Sequence, residues 1–133
     1  MADKEQLFTD LTREEGADLN GGAYELVIKQ LYCVKAGADI LGDDDTILKV
    51  NGNKVWSGDM GSGSNKDFDP RLKVAVDNGS FVGLYDDDGF WSRDDFMGGF
   101  TINGLQSATT ITLSGSGSQY TLTYAVVEPI DPF

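Results

Sequence analysis

From Tyr24 onward the sequence is a succession of short, strand-like runs separated by turns rich in Gly, Asn, Asp or Ser. The runs are rich in β-branched and aromatic residues, and they number about eight. Asn51-Gly52 and Asp77-Asn78-Gly79 each predict a hairpin, a Ser-Gly turn joins the last two runs, and residues 60–70 are predicted to form a polar loop. Because no helical pattern interrupts these runs, the sequence predicts an all-β fold, an antiparallel eight-stranded β-sandwich.

Composition excludes several classes of function. The chain has 133 residues, enough for one domain with its own core, and it contains no His and a single Cys. Catalytic triads with His, imidazole metal sites, internal disulfides and thiolate zinc clusters are therefore excluded. The net charge of −12 argues against a nucleic-acid partner. Cys33 lies in an apolar run and is expected to be a buried small hydrophobe.

Residues 1–22 differ from the rest of the chain and are predicted to be a short helical or disordered leader, with a β-sandwich domain over 23–133. Leu7, Leu11 and Leu19 fall roughly on one face of a short helix. The segment resembles the double-glycine leader of bacterial peptides exported by leader-processing ABC transporters, with a departure at Gly16. The matching residues are Leu11, Thr12, Glu15, Leu19, Gly21 and Gly22. The resemblance implies cleavage after Gly21-Gly22 and secretion or cell-surface display without the Sec pathway. The alternative is a solvated helix that ends at a glycine cap.

The acidic residues concentrate in two places, which we call the first acidic stretch (residues 39–45) and the second acidic stretch (residues 86–95). Together they contain nine Asp and one Arg, whereas the rest of 23–133 is balanced, with seven acidic and seven basic residues. Clustered carboxylates repel one another unless a cation lies among them. Ca²⁺ accepts such all-oxygen ligand sets. The second stretch fails the EF-hand pattern because Gly89 comes too early and Phe90 occupies a ligand position.

The two stretches resemble the calcium loops of the C2 domain, a calcium-dependent lipid-binding β-sandwich. In the first, Asp39, Gly42 and Asp45 keep the family spacing and Lys49-Val50 closes the motif. In the second, Tyr85-Asp86, Asp88, a later Asp and Phe96-Met97-Gly98 match. The departures are Thr46, where the family usually has Pro, and one extra residue around Gly89. The resemblance implies that Ca²⁺ is bound by Asp39, Asp45, Asp86, Asp88 and either Asp94 or Asp95. Asp43, Asp44 and Asp87 would then lie behind the ligands or be solvated. The alternative is a pair of ordinary acidic turns.

Each acidic stretch also contains apolar residues, Ile40-Leu41 in the first and Phe90-Trp91 in the second. In lipid-binding C2 domains such tips enter the membrane once Ca²⁺ has neutralised the acids, so the resemblance implies a phospholipid surface as a possible partner. Alternatively, these side chains fold back over the end of the core. The chain has no basic cluster to attract anionic lipid.

The function expected from the sequence is that of a secreted, non-enzymatic calcium-binding module of bacterial origin that presents a surface to a membrane or a protein. Paired Asp residues could serve a glycosidase, but nothing around them suggests a sugar cleft, so no catalytic residue is expected. Two alternatives stay open. One is a bacteriocin-like effector or toxin carried out by the exporter, and the other is a structural extracellular protein that uses Ca²⁺ for rigidity.

Overall fold

A computed structural model describes residues 23–37, 42–87 and 94–129 of the chain. They form eight strands, and the prediction of an all-β fold is confirmed. The strands are β1 (Tyr24–Lys35), β2 (Asp44–Val50), β3 (Asn53–Met60), β4 (Asn65–Val76), β5 (Phe81–Asp86), β6 (Asp95–Thr101), β7 (Gln106–Gly115) and β8 (Ser118–Val127).

The strands form two four-stranded sheets packed as a sandwich. The first sheet has the order β4-β1-β8-β7 and the second has the order β3-β2-β5-β6. Every pairing of neighbouring strands is antiparallel. The predicted antiparallel eight-stranded sandwich is therefore confirmed.

Two of the three predicted hairpins are present. The Asn51-Gly52 turn joins β2 to β3, and the Ser116-Gly117 turn joins β7 to β8. The hairpin predicted at Asp77-Asn78-Gly79 is wrong, because β4 pairs with β1 in the first sheet while β5 lies in the second. The turn reverses the chain locally, but its two flanking strands diverge to opposite layers of the sandwich.

The polar loop predicted over 60–70 is also largely wrong, since β4 already begins at Asn65. The polar composition of β4 reflects the position of this strand at the edge of the first sheet, where most of its side chains face solvent. Pro70 lies within this strand, and an edge strand tolerates a residue that cannot donate a ladder hydrogen bond. Only residues 61–64 connect β3 to β4.

The core lies between the inward faces of the two sheets. On β1 the buried residues are Leu26 and Ile28, then Leu31 and Cys33, so the alternation shifts by one residue at the bulge between Ile28 and Gln30. Cys33 is fully buried, which confirms the prediction of a small buried hydrophobe. The remaining large core side chains come from both sheets and include Leu48, Val82, Leu84, Met97, Ile102, Tyr120 and Leu122.

Candidate functional site

The strand register brings the flanks of both acidic stretches to one end of the sandwich. The first stretch leads into β2 and the second follows β5, and these neighbouring antiparallel strands pair Thr46 with Asp86. β6 starts at the same level, where Asp95 pairs with Asp86. We call this region, with its residues Asp43, Asp44, Asp45, Asp86, Asp87, Asp94 and Asp95, the acidic end.

Two hydrogen bonds connect the stretches directly. The backbone N–H of Asp45 donates to Asp86 Oδ1 at 2.7 Å. The backbone N–H of Asp87 donates to the carbonyl oxygen of Asp45 at 2.9 Å. The Asp86 carboxylate is 2% exposed, whereas Asp45 is exposed. Asp86 therefore fixes the end of the first stretch against the start of the second.

Asp94 and Asp95, which the sequence could not separate, have different surroundings. The Lys49 ammonium lies 3.4 Å from Asp94 Oδ2 and 4.7 Å from the centre of the Tyr85 ring. Asp95 instead lies across the ladder from Asp86 and is half-buried. The Lys49 ammonium thus compensates the charge of Asp94, while Asp95 adds its negative charge to that of Asp86.

The outer face of the second sheet carries a further acidic depression of about 220 Å³. Asp45, Asp59 and Asp87 line it together with Ser57 and Gly58. Asp59 belongs to β3 and pairs with Asp45 across the ladder, so both carboxylates lie on the solvent face. The sequence analysis did not single out Asp59, because an isolated Asp in a strand carries no motif.

Asp44 occupies a different environment, in a buried polar cluster between the two sheets. Its Oδ2 accepts hydrogen bonds from Ser118 Oγ at 2.7 Å and from the Tyr120 hydroxyl at 2.8 Å. The Tyr120 hydroxyl accepts in turn from Thr46 Oγ1 at 2.7 Å. Asp44 is 0% exposed, and its Oδ1 is the one buried side-chain oxygen or nitrogen within the described residues that lacks a hydrogen-bond partner.

Burial in and beside this cluster favours the protonated forms of Tyr120 and Cys33. Burial raises the pKa of the Tyr120 hydroxyl well above its ordinary value of 10.0, and the hydrogen bond from Thr46 only partly opposes this. Burial also raises the pKa of the Cys33 thiol above 9.0, with a smaller contribution from the negative charges of Asp44 and Asp43. Both groups therefore stay neutral near pH 7, and Cys33 lacks the thiolate character of a reactive cysteine.

Similarity to solved structures was found at the level of the fold. A structure described as that of a C2 domain matches with a TM-score of 0.50 and 16% identity, over 78% of this chain and 98% of that one. The chain has a C2-like fold. A second structure comes from work on CC2D1B, which coordinates ESRCT-III activity during the mitotic reformation of the nuclear envelope. It matches with a TM-score of 0.50 and 17% identity, over 83% of this chain and 56% of that one. This C2-like chain thus spans little more than half the length of that neighbour. No protein-family model and no curated protein matches the sequence.

The C2-like fold accommodates the predicted ligands only in part. The backbone of Asp45, Asp86 and Asp95 meets at the acidic end, but the Asp45 side chain lies on the solvent face with Asp59 while Asp86 is buried. Asp94 faces Lys49. Asp39 and Asp88, the tips Ile40, Leu41, Phe90 and Trp91, and the leader with Gly21 and Gly22 lie outside the described residues. Within 23–37, 42–87 and 94–129, no three Asp, Glu or Cys side chains form a group that could hold a metal ion.

The residues that sequence reasoning missed are those that the fold brings in from β8. Ser118 and Tyr120 are 74 and 76 residues from Asp44, and no spacing in the chain predicts their contact. Tyr120 is buried in the alternating pattern of β8, but alternation does not predict the carboxylate that it meets. Among residues 23–37, 42–87 and 94–129, there is no helix that is long and apolar enough to cross a membrane.

Proposed function

We propose that this C2-like domain is a non-enzymatic calcium-binding module that holds Ca²⁺ between its first and second acidic stretches. The observation that carries the proposal is the bond from the Asp45 amide to Asp86 Oδ1, at 2.7 Å. This bond joins the flanks of the two stretches, which lie 41 residues apart in the chain. The flanks of both acidic stretches therefore meet at one end of a sandwich whose remaining charge is balanced.

The described carboxylates suit a hard cation. Asp45, Asp86 and Asp95 offer only oxygen, which is the ligand type that Ca²⁺ prefers. A carboxylate has about four lone-pair positions, so the hydrogen bond from the Asp45 amide to Asp86 Oδ1 leaves room for a cation on the Asp86 carboxylate. Because Lys49 neutralises Asp94, we assign to Asp95 the ligand position for which the sequence offers either Asp94 or Asp95. The ligand set is completed by Asp39 and Asp88, which belong to the same stretches.

Charge compensation is the mechanism that this arrangement supports. Without a cation, the carboxylates of the acidic end repel one another at short range. Bound Ca²⁺ supplies two positive charges at that place. Asp86, which accepts a hydrogen bond from the Asp45 amide, holds the flanks of both stretches in register. Because Ca²⁺ would bind the folded state, its stabilisation of the domain would grow with the logarithm of Ca²⁺ concentration once that concentration exceeds the Kd.

The domain's proposed partner is a phospholipid surface or a protein that recognises the calcium-bound acidic end. Ile40, Leu41, Phe90 and Trp91 are the apolar side chains that would contact it, because they belong to the same stretches as the ligands. The leader resemblance supports secretion by a leader-processing ABC exporter. Sedimentation with anionic liposomes, in Ca²⁺ and in EGTA, distinguishes a membrane partner from a protein partner.

Calorimetric titration of the full chain with Ca²⁺ tests the ligand assignment. We expect Asp86→Asn and Asp95→Asn each to weaken binding by at least about tenfold, since each removes a charge from the cation's surroundings. Asp94→Asn should weaken it less, because Asp94 already pairs with Lys49 and is not among the assigned ligands. Glu128→Gln, which removes one exposed charge far from the acidic end, is the matched control. Equal losses in all four variants would refute the assignment and indicate a general charge effect.

A further inference from the structure

Three aromatic side chains lie together on the outer face of the second sheet, and we call Phe81, Tyr85 and Phe96 the aromatic platform. The centre of the Phe96 ring is 6.1 Å from that of Phe81 and 5.4 Å from that of Tyr85. Tyr85 in β5 pairs directly with Phe96 in β6. Their strand neighbours Val82 and Met97 are fully buried, so the platform lies on the opposite, solvent-facing side of the sheet.

Two glycines allow the rings to lie against the sheet. Gly83 and Gly99 pair across β5 and β6. A β-carbon on Gly83 would stand 3.0 Å from the Tyr85 ring and 3.1 Å from the Phe81 ring, and one on Gly99 would stand 2.5 Å from the Phe81 ring. The Phe81 and Tyr85 rings therefore occupy the space that side chains on these glycines would fill.

The exposure of Phe96 is not explained by covering these glycines. The side-chain atoms closest to a β-carbon on Gly83 or Gly99 belong to Phe81 and Tyr85. Phe96 is nevertheless 45% exposed, more than any other aromatic side chain in the described part of the chain, and Phe81 is 36% exposed. Contiguous apolar surface that is rimmed by polar groups marks a contact site for a partner.

The size of the platform restricts the class of that partner. With these exposed fractions, Phe81 and Phe96 present roughly 120–200 Å² of apolar surface. A stable protein–protein interface buries about 800 Å² on each partner. The platform is therefore too small to hold a second copy of this chain or another protein by itself, whereas it matches a ligand that contacts it through one or two small rings.

The charge at the edge of the platform restricts the partner further. The Lys49 ammonium lies 4.7 Å from the centre of the Tyr85 ring and 3.4 Å from Asp94 Oδ2, so the two charges compensate each other. The net charge of −12 on the whole chain disfavours a polyanion. An ammonium donates hydrogen bonds and a carboxylate accepts them, so an uncharged hydroxyl group suits both.

We propose that the aromatic platform binds a neutral polysaccharide. One face of a pyranose ring is lined by C–H groups, whose partial positive charge is attracted by the negative face of an aromatic ring. Phe96 and Phe81 supply the stacking surface, while Lys49 and Asp94 hydrogen-bond the sugar hydroxyls. The inference is independent of the calcium function proposed above, because the platform contains none of the assigned calcium ligands.

Native electrophoresis of the full chain through gels that contain a neutral polysaccharide tests the proposal. The negative chain migrates toward the anode, and an uncharged polymer specifically slows a protein that binds it, relative to a non-binding reference protein. The probes are hydroxyethylcellulose, dextran, galactomannan and soluble starch, each in excess EGTA. We expect at least one of them to retard the wild type. Unchanged relative mobility in all of these gels would overturn the inference.

Substitutions of Phe96 locate the binding surface. Phe96→Ala should weaken binding about tenfold, because it removes the exposed ring, and Phe96→Trp should retain binding because it restores one. Tyr32→Ala is the matched control, since Tyr32 is 38% exposed but belongs to β1 in the first sheet. It should bind like the wild type. Equal losses in Phe96→Ala and Tyr32→Ala would contradict the assignment.

Phe96→Leu separates ring stacking from general apolar contact. Leucine keeps apolar bulk at this position but has no aromatic face, so binding should fall as it does in Phe96→Ala. Full binding by Phe96→Leu would overturn the inference and indicate an apolar surface for a protein or a lipid. Retardation that appears only after Ca²⁺ is added would also overturn it, because the ligand would then belong to the acidic end, and the calcium proposal would stand.

Discussion

Asp44 and Asp45 are adjacent in the chain and have opposite environments. Strand alternation turns Asp44 inward to Ser118 and Tyr120, and turns Asp45 outward to solvent. The sequence left open whether Asp44 lies behind the ligands or is solvated, and its complete burial excludes the solvated alternative. A run of three Asp residues is therefore not one chemical unit, and only part of it faces the region where a cation would lie.

The candidate site could be predicted from the sequence only as far as local spacing reaches. The spacing of Asp39, Gly42 and Asp45 and the Tyr85-Asp86 step indicate where the acidic loops lie, because these motifs are short. Our proposal of Asp95 over Asp94 depends on the position of Lys49, and that position depends on the register of three strands. No local pattern contains that register.

Tyr120 and Cys33 give the domain a predictable response to alkaline pH. Burial raises the pKa of both groups in the folded chain, so the folded state keeps protons that the unfolded state releases. The stabilisation is fully present below the unfolded pKa values, 10.0 for Tyr120 and 9.0 for Cys33, and is lost as pH rises above them. We expect the free energy of unfolding in urea to fall with a slope of up to about 1.4 kcal/mol per pH unit for each group.

Tyr120→Phe provides the check on this assignment. The variant lacks the hydroxyl, so its free energy of unfolding should fall less steeply above about pH 10 than that of the wild type. A wild-type slope that persists unchanged in the variant would show that other groups cause the alkaline loss.

At the scale of strands and turns, the sequence predicted element type better than element pairing. The alternation of β7 and β8 correctly identifies them as strands, because one face of each packs on the core. The turn at Asp77-Asn78-Gly79 failed as a hairpin predictor because it specifies a local reversal, not the layer to which each strand belongs. Layer assignment depends on burial across the whole sandwich, which no single turn encodes.

Gly98 in β6 lies close to the backbone of β7, a strand of the other sheet. It has a φ of 117°, and a β-carbon there would lie 2.6 Å from the backbone nitrogen of Ser114 in β7. We expect Gly98→Ala to destabilise the domain by about 3 kcal/mol or more, because backbone strain and a clash with main-chain atoms add together. Urea-induced unfolding measures the effect.

Gly79→Ala separates the two causes. Gly79 has a φ of 91°, but a β-carbon there would have no atom within 4 Å. The cost should therefore be about 1 kcal/mol, from backbone strain alone. Equal costs for Gly79→Ala and Gly98→Ala would show that β6 and β7 are not closely packed at Gly98.

At the scale of the whole molecule, the acidic charge is organised by the fold. The chain carries a net charge of −12, yet outside the two acidic stretches residues 23–133 contain equal numbers of acidic and basic residues. The C2-like arrangement then places the flanks of both stretches at one end of the sandwich. A surplus used only for solubility would gain nothing from this concentration, whereas a cation site requires it.

Thermal unfolding of the full chain in excess EGTA and in millimolar Ca²⁺ tests the calcium proposal most directly. If free Ca²⁺ is a hundred times its Kd, the folded state gains about 2.7 kcal/mol. For a domain of this size, that raises the unfolding midpoint by roughly ten degrees. Mg²⁺ at the same concentration should shift the midpoint less, since it tolerates a crowded all-protein carboxylate site poorly. Equal midpoints in EGTA and in Ca²⁺ would contradict the proposal that the acidic end binds calcium.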